Sequence, residues 1–355
     1  MSVQAGKPFF HIVMPMYNAA ATVQKAIKSL QEQSFTDWCL TIVDDASTDD
    51  SFTVCSAIAA KDTRITVKRL NQNSGQSAAR NVGLEDLCGA YITFIDADDY
   101  IDTEVFYNAY MRLNDNSIEV LKYSISEEYF DKHGRFLGNK KLRLAERVYT
   151  NKISVRYAII ELEKMSTFGY VNNSFYKREL FERYNFSFDN ALSAHEDFYF
   201  NMDVFKHVNT MAIMAIGMYH YVKADNNSMT NRSRNAVYYQ EYFKKIDFLL
   251  FVYERWQLLT PNIKSTIFWF YVRYVYAFLG FHTDTKAIFK SCFDDVANTV
   301  LYQRFKRVEF EDISLKQKIL IGFLCQGNSL WLWYFCKIIH FCRTKMRYLF
   351  AMIKD

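Results

Sequence analysis

The chain has 355 residues, with 43 Lys and Arg against 39 Asp and Glu, for a net charge of +4. That length suits one sheet-based domain plus an extension, and a charge this nearly balanced excludes nucleic acid as the partner. Seven cysteines without a C-x-x-C pair, several inside apolar runs, predict reduced thiols and a cytoplasmic setting, and no leader peptide is expected at the N-terminus.

In chain order, the apolar run 9–13 reads as a first strand and ends in Met14-Pro15-Met16-Tyr17-Asn18. Val23, Ile27 and Leu30, spaced by four and three, predict a helix. A second run, 39–43, ends in Asp44-Asp45-Ala46-Ser47, and the Ala-rich stretch 52–60 predicts a second helix. A third run, 65–70, is followed by Asn71-Gln72-Asn73-Ser74-Gly75-Gln76, and a helix starting near Ser77 carries Arg80. A fourth run, 90–95, ends in Asp96-Ala97-Asp98-Asp99. The order β-α-β-α-β-α-β predicts an α/β fold, a mostly parallel Rossmann-like sheet flanked by helices with right-handed crossovers. Each strand then delivers its polar residues to the same edge, where open α/β sheets place ligands.

Side chains two apart on an extended strand share a face, so Asp96 and Asp98 can converge on one point. Two such carboxylates suit a hard divalent cation completed by phosphates and water, and Mg²⁺ or Mn²⁺ fits oxygen ligands. No His or Cys spacing reads as a zinc site.

Together these motifs resemble the inverting nucleotide-sugar glycosyltransferases of family 2, which use the GT-A fold, over roughly residues 8–225. Pro15-Met16-Tyr17-Asn18 resembles that family's P-x-Y-N, and Val43-Asp44-Asp45-Ala46-Ser47-Thr48-Asp49 its V-D-D-x-S-x-D. Gly75-Gln76-Ser77-Ala78-Ala79-Arg80-Asn81-Val82-Gly83 resembles G-x-x-x-A-R-N-x-G, and Asp96-Ala97-Asp98 the D-x-D metal motif. The resemblance implies that Asp44 reads uracil beside the Tyr17 ring, with Asp45 supporting the ribose or the loop. It also implies that Pro15, Asn18, Asn73, Gly75 and Arg80 belong to the nucleotide site, Arg80 by contacting the base or the diphosphate. Asp98 is then the direct metal ligand, and Asp96 contacts ribose or a metal-bound water. His195-Glu196-Asp197 resembles the x-E-D segment that supplies the catalytic base, making Asp197 the base and Glu196 its positioning partner. Carboxylates there also suit a helix N-terminus. Tyr219-His220-Tyr221-Val222-Lys223 followed by Asn227-Ser228-Met229-Thr230 resembles a closing Y-x-Y-R…S-I-T segment, with Lys223 where Arg is usual. A bidentate phosphate clamp would there become a point charge. His220 reads either as a packed strand histidine or as a metal ligand, and residues 224–234 as a lid. Donor-sugar contacts are expected within residues 120–193.

Beyond a catalytic domain at 1–230, residues 231–355 are rich in Tyr, Phe and Trp and predict a helical region, with helices over 238–259 and 263–281. Near the end, Lys337, His340, Arg343, Arg347 and Lys354 fall on one helical stripe, with apolar residues on the remaining arc. Residues 329–355 hold five basic residues and one acid, which accounts for the whole formal excess. The pattern predicts an amphipathic helix lying on a membrane surface, basic side toward anionic headgroups; a helix packed on the bundle or a homodimer contact is the alternative. A spanning helix over 319–342 is disfavoured by Gln326, Asn328 and Lys337.

The expectation is a metal-dependent inverting enzyme, peripheral on the inner face of the cell membrane. It would move one sugar from a nucleoside diphosphate, uridine favoured, to a hydroxyl of a glycan or lipid-linked acceptor in surface-polysaccharide synthesis. The absence of Q-x-x-R-W favours single-sugar addition. The rivals are a nucleotidyltransferase of related fold, which would carry a basic Gly-rich loop after its first strand, and a catalytically inactive membrane-bound glycan-binding scaffold.

Overall fold

The structure, a computed structural model, describes residues 7–192, 194–224, 236–311 and 313–345. The chain divides into two compact units, Met1–Asn231 and Arg232–Asp355. The first is built on one mixed sheet. Strands β1 (Phe10–Met16), β2 (Trp38–Asp44), β3 (Ile65–Arg69) and β4 (Tyr91–Phe94) are joined by helices α1 (Val23–Gln31), α2 (Ser51–Ala59) and α3 (Gln76–Leu84), as their apolar spacing predicts. All four strands are parallel. α1 buries Val23, Ala26, Ile27 and Leu30, one face at helical spacing. Phe10, Trp38, Leu40 and Tyr91 are buried in the core of this unit, and each such side chain contributes roughly 1.5–3 kcal/mol.

Pro15 fixes where this sheet opens. Val13 O accepts from Ile95 N at 3.1 Å, the last β1–β4 rung. The next donor on that side of β1 is Pro15, which has no N–H. β4 stops at that level, two residues before Asp96.

The rest of this unit was not predicted in detail. After β5 (Tyr100–Ile101) and α4 (Val105–Leu113) come β6 (Val120–Phe130), β7 (Phe136–Leu142), β8 (Arg147–Tyr149), α5 (Lys152–Lys164), β9 (Ser174–Lys177), α6 (Arg178–Tyr184), α7 (Glu196–Phe205) and β10 (Met211–Ala224). The strand order is β3-β2-β1-β4-β9-β6-β10-β5, with β7 beside β6 and β8 beside β10. β9 runs against its neighbours β4 and β6, β7 against β6, and β5 and β8 against β10, while β10 is parallel to β6. The C-terminal ends of β1, β2, β4, β6 and β10 therefore face one edge.

The expectation of reduced thiols throughout is corrected: Cys39 and Cys88 form a disulfide, while Cys55, Cys292, Cys325 and Cys336 are free. A separation of 49 residues conceals the pairing in the sequence. It arises because β2 and the loop before β4 both flank β1. Buried His11, beside them, donates or accepts through Nε2 with Thr41 Oγ1 at 2.9 Å. Burial first, then Lys68, pushes its imidazole down to about 4.

The second unit is helical among its described residues: α8 (Ala236–Arg255), α9 (Pro261–Phe281), α10 (Lys286–Ala297), α11 (Val300–Phe305), α12 (Leu315–Gln326) and α13 (Ser329–Lys345). Thr260, Thr285 and Thr299 cap three helix starts, and Ser314 forms a capping box with Gln317. α9 is buried along most of its length, Phe268, Tyr271 and Leu279 included. α12 ends at Gly327 in a left-handed conformation, which splits residues 319–342 into two helices. No helix among the described residues is long and apolar enough to cross a membrane. α13 buries Leu332, Trp333 and Cys336 and exposes Trp331, Tyr334, Lys337, Ile338 and Phe341. Of the five stripe residues, only the Lys337 side chain lies among the described residues. The outward face is thus aromatic and aliphatic, because the spacing 331, 334, 338, 341 also repeats at helical period.

Candidate active site

Three loops at the open edge are tied to one another by side chains. Asn18, at φ 49°, donates its N–H to Ser47 Oγ at 2.9 Å, and its Oδ1 accepts from Thr48 N at 2.8 Å. Tyr17 beside it is half exposed. Asp45 accepts from Ser74 N at 2.7 Å and Gly75 N at 2.8 Å, so it orders the third loop. Gly75 has φ 90°, and no atom would meet an added Cβ there. The backbone conformation, not space, requires glycine. Asn73 is exposed on the same loop.

Asp44 is fully buried, accepts from Ser47 N at 3.2 Å and lies 3.1 Å from Arg69 Nε. Arg69 also donates to Ser47 O at 2.9 Å and packs over the Phe52 ring. A base N–H would therefore share Asp44 with Arg69, a residue outside every motif recognised in the sequence.

At the centre stands Arg80, 1% exposed. Its Nη2 donates to Asp96 Oδ1 at 3.0 Å and its Nη1 to Asp197 Oδ1 at 2.5 Å. Rather than presenting its fork to solvent, Arg80 bridges two carboxylates that lie 101 positions apart in the chain. Gln76 Nε2 donates to Asp96 Oδ1 at 3.0 Å, and Asn172 Nδ2 to Asp96 Oδ2 at 2.7 Å. Both oxygens of Asp96 are thus engaged within the protein. Tyr219 OH donates to Asp99 Oδ2 at 2.5 Å and accepts from Asp96 N, while Asp99 Oδ1 accepts from Val222 N at 2.8 Å. These bonds fasten β10 to the acidic loop.

Asp98 is the open member of the trio, exposed at the surface yet seated over the cluster. The surrounding protein, then Asp96, raises its carboxyl to about 6. Buried Asp99 is raised well above the usual range by burial, then by Asp98 and Asp96. This accumulation of negative charge around one exposed carboxylate fits a divalent cation with hard oxygen ligands. Asp98 is the exposed carboxylate that could meet such a cation, while both oxygens of Asp96 already accept bonds from protein side chains.

Asp197 opens α7 after His195, which sits in the left-handed region at φ 62°. Glu196 and Asp197 occupy the first turn, where the helix dipole favours negative charge. The Asp197 carboxylate is 22% exposed. Burial raises it to about 7, Arg80 opposes that rise, and Glu196 and Asp96 add to it. Below it, buried Lys122 donates to Tyr170 O at 3.0 Å and Ser174 Oγ at 2.7 Å, and burial lowers its ammonium to about 7.

Lys223, near the end of β10, pairs with Glu127 at 2.8 Å and lies close to the Tyr129 and Tyr221 rings. His220 is a packed strand histidine, bonded to Asp102 at 2.8 Å and Glu128 at 2.9 Å and stacked on Tyr100. The segment 227–230 and the lid assigned from residue 225 onward lie outside the described residues. Sequence reading missed Gln76, Asn172, Tyr219, Asp99 and Lys122 as site residues. The polar run Asn172-Asn173-Ser174 was the one signal available for Asn172.

Comparison with known proteins bears on the family and the fold. Residues 11–185 match the model of glycosyl transferase family 2. The uncharacterized glycosyltransferase EpsJ of Bacillus subtilis is 30% identical over 223 residues, 63% of this chain and 63% of that protein. A stretch of 94 residues is 37% identical to the GalNAc(5)-diNAcBac-PP-undecaprenol beta-1,3-glucosyltransferase of Campylobacter jejuni, covering 26% of this chain and 30% of that one. The chain thus spans less than two thirds of either relative. The structure of S. aureus TarS 1-349 in complex with UDP-GlcNAc superposes with a TM-score of 0.61 at 17% identity, covering 92% of this chain and 89% of that one. At that identity the likeness speaks for the fold. Motifs, sheet and matches agree that this chain carries a family 2 glycosyl transferase domain on a GT-A fold.

Proposed function

We propose that this protein transfers a single sugar from a nucleoside diphosphate donor, uridine favoured, to a hydroxyl of a glycan or lipid-linked acceptor in surface-polysaccharide synthesis. The anomeric configuration is inverted. The observation that carries this reading is Arg80, whose two nitrogens hold Asp96 of the D-x-D loop and Asp197 of α7. Direct displacement needs a base and a donor site fixed in one geometry, and a shared guanidinium provides that. Similar proteins support the substrate class: the fold neighbour TarS was solved with UDP-GlcNAc, and the Campylobacter relative is named for an undecaprenol-linked glycan.

In this reading Asp197 takes the acceptor hydroxyl's proton, and a carboxyl raised toward neutrality is a stronger base than an ordinary aspartate. Glu196 positions it. Asp98 and Asp96 hold Mg²⁺ or Mn²⁺, which when bound offsets the charge on the departing diphosphate. Asp45, Gly75 and Asn18 shape the loops that receive the nucleotide. The exposed face of α13 docks on anionic membrane, its aromatic side chains entering the interface beside Lys337.

The test is release of UDP from a panel of UDP-sugars by purified protein, with and without Mn²⁺ or Mg²⁺. Release that Asp98→Ala abolishes supports transfer. Pyrophosphate released from a nucleoside triphosphate favours a nucleotidyltransferase instead, and silence on every donor a scaffold.

A further inference from the structure

A second constellation lies at the opposite edge of the sheet. His11 is the second residue of β1, and the same strand reaches the rim only at Met16. Cys39 on β2 is its register partner. Cys88, in the loop between α3 and β4, donates its N–H to His11 Nδ1 at 3.5 Å. Gly89 holds that loop down: an added Cβ there would lie 2.4 Å from His11 N, so only glycine permits this approach. Ligand atoms of His11, Cys39 and Cys88 all lie within 4.8 Å of one another.

We infer that, when the Cys39–Cys88 bond is reduced, His11, Cys39 and Cys88 bind one Zn²⁺ ion, with water in the fourth position. Two thiolates and an imidazole form a zinc donor set, and three protein ligands with one open position satisfy tetrahedral coordination. The imidazole needs to give up only the long 3.5 Å bond that Nδ1 accepts from Cys88 N–H. With Nδ1 toward Cys88, Nε2–H donates to Thr41 Oγ1, the kind of outer hydrogen bond that fixes the tautomer of a metal-bound histidine. The α-carbons of the two cysteines are 7.4 Å apart, beyond the usual disulfide range of about 4.4–6.8 Å. A zinc ion holds its sulfurs about 3.8 Å apart, given Zn–S near 2.3 Å, which suits that wider spacing. Both cysteines are partly exposed, so reductant and metal can reach them.

The chemistry balances. A dithiol reductant gives two electrons and two protons to the S–S bond, leaving two thiols and becoming a disulfide itself. Zn²⁺ then displaces two protons, one from each sulfur. The same three side chains would thus be closed covalently under oxidation and by metal under reduction.

The experiment uses the full chain, reduced, desalted anaerobically and titrated with Zn²⁺ against a chromogenic chelator, with Co²⁺ as a spectroscopic substitute. The expected result is one tightly held Zn²⁺ per chain and a thiolate-to-Co²⁺ charge-transfer band. Cys39→Ser removes both, and His11→Gln weakens zinc binding at least tenfold. Asp98→Ala leaves them unchanged, which separates this site from the acidic rim. The oxidised chain shows no such band. Absence of the band in the reduced chain, or its survival in Cys39→Ser, overturns the assignment. Should Cys39→Ser not fold, the reduced wild-type spectrum and His11→Gln still decide.

Discussion

The rim of the sheet and the helical unit bury their polar groups in opposite ways. At the rim, Asp96, Asp99, Arg80, Asn172, Tyr219 and Asp197 are bonded chiefly to one another, so each holds several others. In the helical unit the described polar contacts are mostly separate from one another: caps at Thr260, Thr285, Thr299 and Ser314, and single bonds between helices such as Tyr276 OH to Leu320 O at 2.8 Å. A connected network transmits a change, whereas isolated caps confine it. Interlocking suits the proposed function, in which Asp197 and the acidic loop must stay in register; separate bonds suffice for packing.

The largest effect is expected at the base. Asp197→Asn should lower transfer about 10²–10⁴-fold, measured as UDP release, at temperatures where its unfolding curve shows the variant still folded despite the weakened pair with Arg80. Arg80→Gln comes next. Removing one partner of a buried pair typically costs about 3–5 kcal/mol, and here two carboxylates lose their cation, so urea unfolding should show a loss of that order. Combined with Asp197→Asn, the loss should fall short of additive; strict additivity would break the picture of a network.

A smaller effect concerns pH. The base acts ionised, and burial followed by Glu196 and Asp96 raises Asp197 to about 7. Its proton must therefore be absent, so kcat/KM should rise about tenfold per unit below that value and level off above it. A profile flat from pH 5 to 8 would show that another group, or none, takes the proton. In the helical unit, Ser314→Ala should cost about 1 kcal/mol by loss of its cap, with transfer unaffected. Least of all, exposed Ile338→Ser should shift stability by no more than about 0.5 kcal/mol. It should still reduce flotation with anionic vesicles; unchanged flotation would take α13 out of the membrane reading.

Much of the first half of the chain was legible because its signals are local. Apolar runs and helical spacings located β1 to β4, α1, α2 and the start of α3 to within three residues, and Asp45, Gly75 and Asp98 lie in contiguous motifs. What escaped was set by distance along the chain. Arg80 reads in the sequence as a phosphate or base contact, because nothing in its neighbours reveals Asp197 beside it. Cys39 and Cys88 look unpaired for the same reason. Asn172 and Tyr219 act on Asp96 only because the antiparallel strand β9, beside β4, and the long strand β10 bring residues 172 and 219–222 to the acidic loop that follows β4. For α13, periodicity showed that two faces exist but not which one packs. Buried Trp333 and exposed Trp331 resolve that through tertiary contacts.

Pro15 carries one more consequence. Because an imino acid cannot extend the ladder with Ile95, the β1–β4 pairing ends at that level, and the acidic turn takes its bonds from β10 instead. A single absent hydrogen thus ends the pairing at the level where the acidic turn begins. An alanine there would offer the sheet one further rung.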